Sequence, residues 1–139
     1  MKRSRVLLVD DMPEIVQYCT GILVSEFEVV GTASDGLAAI RAAAATEPDV
    51  IVLDMSMPGL NGIEVARRLR RDGCQAAIVF FSADDGLHEI AMEAGGSAYV
   101  SKGLVDSDLR RAIVEVLAGR RYVALCQDGK KRRDEPGSR

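Results

Sequence analysis

The chain has 139 residues, 47% hydrophobic and 28% charged, with a formal net charge of −3. That length suits one domain with a real core, and the acidic balance argues against nonspecific nucleic-acid binding by the chain as a whole. No apolar run approaches the roughly 18–20 residues of a membrane span, the start MKRSRVLLVDD lacks a signal-peptide cleavage pattern, and Cys19, Cys74 and Cys126 are too few and too scattered for a disulfide frame or zinc knuckle, so a cytoplasmic protein with reduced thiols is expected.

RVLLVD, from Arg5, is apolar without alternation and too short for a helix, which predicts a strand buried on both faces. After Pro13, the spacing of Ile15, Cys19, Ile22 and Leu23 predicts a helix. EVVGTAS reads as a second strand, and DGLAAIRAAAAT as a helix capped by Asp35 and ended before Pro48. VIVLD is the third strand, and Ile63, Val65, Ala66 and Leu69 mark the helix after the turn MSMPGLNG. AAIVFFS is the fourth strand, followed by a helix in DDGLHEIAMEAGG that Gly95 and Gly96 stop. SAYVSK is the fifth strand, and Asp106 to Ala118 carry the last helix. Alternation of this kind predicts a single α/β, doubly wound, flavodoxin-like domain, a five-stranded parallel sheet of order 2-1-3-4-5 with five helices. It spans residues 3–122; residues 123–139 are expected to be a polar, disordered tail.

In an open parallel sheet, ligands bind outside the C-terminal strand ends, at the crevice where strand order reverses. Asp10 and Asp11 follow the first strand, Asp54 ends the third, Ser82 the fourth and Lys102 the fifth. Three carboxylates repel one another and resist desolvation, so their convergence calls for a hard cation such as Mg2+, which takes oxygen ligands and keeps several waters. A lysine and a hydroxyl facing an aspartate beside that ion describe a phosphoryl site, with Asp54 as nucleophile and Lys102 neutralising developing charge.

VDD after the first strand, LDMSMPGLNG around Asp54, FSA at Ser82 and AYVSK with Lys102, in this order, resemble the receiver domain of two-component response regulators; the C-terminal part looks most like the branch with LuxR-type DNA-binding halves. The resemblance implies that Asp54 accepts a phosphoryl group from a sensor histidine kinase or phosphotransfer protein. It makes Asp11 and Asp54 direct Mg2+ ligands, lets Asp10 act through water, and adds the backbone carbonyl of Ser56. Ser82 becomes the switch hydroxyl, Tyr99 an aromatic switch residue that turns inward, Ala83 the small residue that admits the donor, and Pro58 and Gly62 the residues that shape the loop after Asp54. The chain departs from many receivers in having Gly103, not proline, after Lys102.

Other readings compete. Asp10 and Asp11 suit a helix start, His88 a solvent-facing helix, and the KKRR run from Lys130 a solvated or DNA-touching segment. A haloacid dehalogenase-type phosphatase needs a second aspartate two residues after its nucleophile, where this chain has Ser56; no Gly-rich turn follows the first strand for a dinucleotide. A receiver-like scaffold acting without phosphorylation is the alternative function. The expected protein is therefore a phosphoacceptor rather than a turnover enzyme. With no helix-turn-helix pattern after Tyr122, no direct DNA binding by this chain and no membrane contact are expected, and output is assigned to a partner, a homodimer or an attached DNA-binding half.

Overall fold

The computed structural model describes residues 2–127 and 130–134. Strands β1 (Arg5–Val9), β2 (Glu28–Ala33), β3 (Val50–Asp54), β4 (Ala77–Ser82) and β5 (Ala98–Ser101) alternate with helices α1 (Pro13–Leu23), α2 (Gly36–Thr46), α3 (Gly62–Arg71), α4 (His88–Glu93) and α5 (Val105–Leu117). Two further strands follow, β6 (Tyr122–Gln127) and β7 (Lys130–Asp134).

Local signals account for most boundaries. Asp35 caps α2 by accepting from the Ala38 amide, as expected, and Pro13 sits in the first turn of α1, where its missing N–H costs nothing. Neither Asp10 nor Asp11 caps α1: its N-cap is Met12, without a side-chain hydrogen bond. Asn61 and Glu64 form a reciprocal capping box at α3. The chain leaves α4 through Gly95, at φ 118°, a conformation that favours glycine.

The sheet has the order β2-β1-β3-β4-β5-β6-β7. β1 to β6 run parallel, and β7 is antiparallel to β6. Alternate strand residues face opposite layers. Leu7, Ile51, Phe80 and Tyr99 pack with α2, α3 and α4, whereas Leu8, Val52, Phe81 and Val100 pack with Cys19 and Leu23 of α1 and Leu109 and Ile113 of α5.

Two expectations are corrected. The five-stranded core keeps its expected order, but β6 extends it along the edge of β5, pairing Ala98, Tyr99 and Val100 with Tyr122, Val123 and Ala124. The disordered tail is therefore not found over 123–127 and 130–134; residues 128–129 and 135–139 lie outside those described. The physical reason is that YVALCQ is another short apolar run: Tyr122 and Ala124 enter one core layer, Val123 and Leu125 the other. The KKRR run falls in β7.

Candidate functional site

The crevice forms where the strand order reverses, between β1 and β3. Asp10, one residue past β1, is buried; its Oδ1 accepts from the Met12 amide at 2.8 Å. Asp54 ends β3, is 1% exposed, and its Oδ1 accepts from the Ser56 amide at 3.2 Å. Asp11 points to solvent beside them. Lys102 follows β5 in a short 3-10 turn that continues through Gly103 to Leu104. Its Nζ reaches back to 3.2 Å from Asp10 Oδ2 and 3.3 Å from Asp54 Oδ1, and lies 5.0 Å from the Phe81 ring centroid.

One cation thus faces two buried carboxylates. Burial pushes the Asp54 carboxyl above its ordinary range; the Ser56 amide and Lys102 pull the other way, while Asp10 adds to the rise. Burial alone would weaken the charge on Lys102, yet Asp54 and Asp10 together hold its pKa above the usual lysine value.

The carboxylates of Asp10, Asp11 and Asp54 each offer an oxygen within 4.8 Å of the others. Asp10 Oδ2, despite its ion-pair contact with Lys102, and Asp54 Oδ2 are buried without a hydrogen-bond partner. Buried carboxylate oxygens are rarely left this way, and an all-oxygen cluster suits a hard divalent cation. An open cleft of about 530 Å³ adjoins them, lined by residues that include Asp11, Ser56, Pro58, Asn61 and Leu87.

Ser82 and Tyr99 sit at the next two strands. Ser82 is buried, and its Oγ accepts from the Asp84 amide at 3.0 Å. Tyr99 is fully buried and donates its hydroxyl to the Asp84 carbonyl. Burial pushes its phenol up to about 12, against the pull of the Ser82 hydroxyl. The sequence reading has Tyr99 turn inward on activation; here it already lies inside. His88 departs from its expected solvent-facing role: it is half-buried, with its ring edge-on to Tyr99 at 6.1 Å. Ala83 is exposed at the start of the same loop.

Sequence reasoning missed Asp85, whose Oδ2 accepts from the Cys126 amide at 2.8 Å, and Asp108, a fully buried acid on α5 that accepts from the Tyr122 hydroxyl at 2.5 Å. No spacing rule announces either one, because both partners arrive from strand β6, far along the chain.

The family model of the response regulator receiver domain matches residues 6–114. The chain belongs to this family. Receivers act in phosphorylation-dependent two-component signalling, with phosphorylation on aspartate and Mg2+ general to the family. The chain is 36% identical over 123 residues to the response regulator UvrY of Escherichia coli O6:H1, covering 86% of this chain and 56% of that protein. A two-component response regulator of the LuxR family from Aurantimonas sp. SI85-9A1 superposes with a TM-score of 0.82 at 35% identity, covering 92% of this chain and 93% of that one. A DNA-binding response regulator of the LuxR family from Staphylococcus aureus shares the fold, with a TM-score of 0.76 at 24% identity over 82% of this chain and 98% of that one.

These relatives correct the expectation about partners. The chain spans little more than half the length of UvrY, and a LuxR-family response regulator is among the structures it superposes on. The pattern after Tyr122 therefore gives no ground for excluding a DNA-directed output from the whole protein. Among the described residues, no helix is long and apolar enough to cross a membrane.

Proposed function

We propose that this receiver accepts a phosphoryl group on Asp54 from a sensor histidine kinase and that Ser82 and Tyr99 report the change. The observation that carries this reading is the pairing of Lys102 with both Asp54 and Asp10 at the mouth of the sheet, at 3.3 and 3.2 Å. A cation shared by two buried acids suits a site that receives more negative charge.

Asp10, Asp11 and Asp54 would hold Mg2+ through their carboxylates, together with the Ser56 carbonyl. The ion, when bound, supplies positive charge against the phosphoryl oxygens. Asp54 attacks as the carboxylate: one of its oxygens bonds to phosphorus as the bond from phosphorus to the donor breaks, and the donor leaves with that electron pair. Lys102 offsets charge on the incoming group, and its contact with Asp54 passes to the phosphoryl oxygens. Ser82 exchanges its bond with the Asp84 amide for one to the phosphoryl group. Ser56 stands where a phosphatase of the aspartate-nucleophile type requires a second carboxylate, which supports a phosphoacceptor over a turnover enzyme. A cytoplasmic location agrees with this role.

Incubation with acetyl phosphate and Mg2+ should add one phosphoryl mass per chain, and Asp54→Asn should add none. Equal labelling of the two proteins would remove Asp54 from the role. Continuous release of phosphate at a rate far above chain labelling would favour a phosphatase.

A further inference from the structure

The loop after β4 carries three independent ties. The Asp84 amide donates to Ser82 Oγ at 3.0 Å, the Asp84 carbonyl accepts from the buried Tyr99 hydroxyl, and Asp85 Oδ2 accepts from the Cys126 amide at 2.8 Å. The first tie leads to the phosphoryl site. The second leads to β5, and the third to the far half of β6. β6 is held to β5 only through the register that ends at Val100 and Ala124, so Cys126 lies past the last paired residue of β5. Its amide is instead fastened by a carboxylate belonging to the loop that Ser82 controls.

The near half of β6 is secured differently. Tyr122 is fully buried, gives its hydroxyl to the buried Asp108 of α5, and stacks beneath the Arg111 guanidinium with 5.6 Å between that group and the ring centroid. One strand therefore has a root locked into the core and an outer half that pairs with β7, buries Leu125 and, on the β5 side, is tied by Asp85 of the loop after β4. The Asp85–Cys126 bond is a single charge-assisted contact, one that a stronger pull on the loop can break.

We propose that β6 reads the phosphorylation state of Asp54. When Ser82 turns its hydroxyl to the phosphoryl group, the Asp84 amide loses its acceptor and the Ala83–Asp85 loop shifts. Asp85 then releases the Cys126 amide to water, and the outer half of β6 opens with the β6–β7 hairpin it carries, while Tyr122 keeps the root in place. The signal reaches the segment after α5 through a sheet edge. This inference rests on Asp54 being the phosphoacceptor.

Deuterium exchange on the full chain, with and without acetyl phosphate and Mg2+, tests it, with intact mass reporting the label on the same samples. In the wild type, labelling should speed exchange at Leu125–Gln127 about tenfold, in keeping with the loss of one charged-acceptor bond, and leave Tyr122–Ala124 unchanged. Asp85→Ala should exchange fast at Leu125–Gln127 without label and gain nothing from it. Asp85→Asn, which keeps an acceptor oxygen without the charge, should exchange at Leu125–Gln127 at a rate between those of the wild type and Asp85→Ala without label and still speed up with it. A labelled wild type with unaltered exchange at Leu125–Gln127 overturns the proposal and leaves the Asp54 reading standing; so does a normal response in Asp85→Ala. Absence of any label overturns both, since the strand would then have nothing to read.

Discussion

A Cβ placed on Gly62 would lie 2.5 Å from the carbonyl oxygen of Asp54 and 2.9 Å from the Cα of Met55. Both obstacles are backbone, so neither can swing aside. The first turn of α3 therefore packs directly on the chain that presents Asp54, and the Gly62 amide donates to the Met55 carbonyl at 3.1 Å. This closeness ties the loop LDMSMPGLNG to the backbone of Asp54 and Met55.

Gly62→Ala should accordingly cost about 1–3 kcal/mol of stability, the usual range for overpacking, and should displace the Asp54 backbone. Urea denaturation gives the first quantity and the acetyl phosphate labelling rate reports the second. A fully stable variant with normal labelling would show that α3 can shift outward freely.

The pH dependence of stability follows from Asp54. Burial raises its pKa in the folded protein, with the Ser56 amide and Lys102 opposing and Asp10 reinforcing. A carboxyl raised in this way binds its proton more readily folded than unfolded. Above the folded value the ionised carboxylate therefore costs stability, and falling pH relieves that cost. Asp54→Asn has no such proton to bind. In metal-free buffer it should be more stable than the wild type near neutrality, with the advantage shrinking as pH falls through the raised value. Chemical denaturation of both proteins from about pH 8 down to about pH 4 tests this, a range chosen to bracket ordinary carboxyl titration. A stability difference that does not vary with pH would contradict it.

Mg2+ should raise the melting temperature of the wild type, because binding to the folded state alone adds about 2.7 kcal/mol at a hundredfold excess over Kd. Asp11→Ala should lose most of that gain. Asp11 is exposed, so its removal should leave the metal-free protein near wild-type stability. An unchanged Mg2+ response in Asp11→Ala would exclude it as a ligand.

Tyr122→Phe keeps the ring in the core but withdraws a hydrogen bond from the buried Asp108. The expected cost is about 1–3 kcal/mol, the range for depriving a buried acceptor of its donor. Thermal denaturation measures it, and a variant as stable as the wild type would mean that Asp108 is satisfied without the tyrosine. Asp108 also accepts from the Ser107 hydroxyl at 2.6 Å, which places the expected loss toward the lower end of that range.

Much of the site was legible in the residues themselves. Val6 to Val9, Val50 to Leu53 and Ile78 to Phe81 are apolar at every position, in runs too short for a helix, which suits a strand covered on both faces. Once those runs are strands of a parallel sheet, Asp10, Asp11, Asp54, Ser82 and Lys102 fall at one edge, because parallel strands present all their C-terminal ends on the same side. Chain order alone therefore determined which carboxylates meet and which lysine reaches them. Tertiary structure decided what the strand ends are attached to. YVALCQ carries the same apolar signature as the earlier strands, but it lies between the edge of β5 and β7, and the charged residues that follow dilute the signal. The tie from Asp85 to Cys126 and that from Asp108 to Tyr122 join positions 41 and 14 residues apart with no shared periodicity. Hydrophobic pattern reports which face of an element is buried; it carries no information on which hydrogen-bonding groups meet once the elements are packed, and in this receiver those pairings fasten β6 to the loop after β4 and to α5.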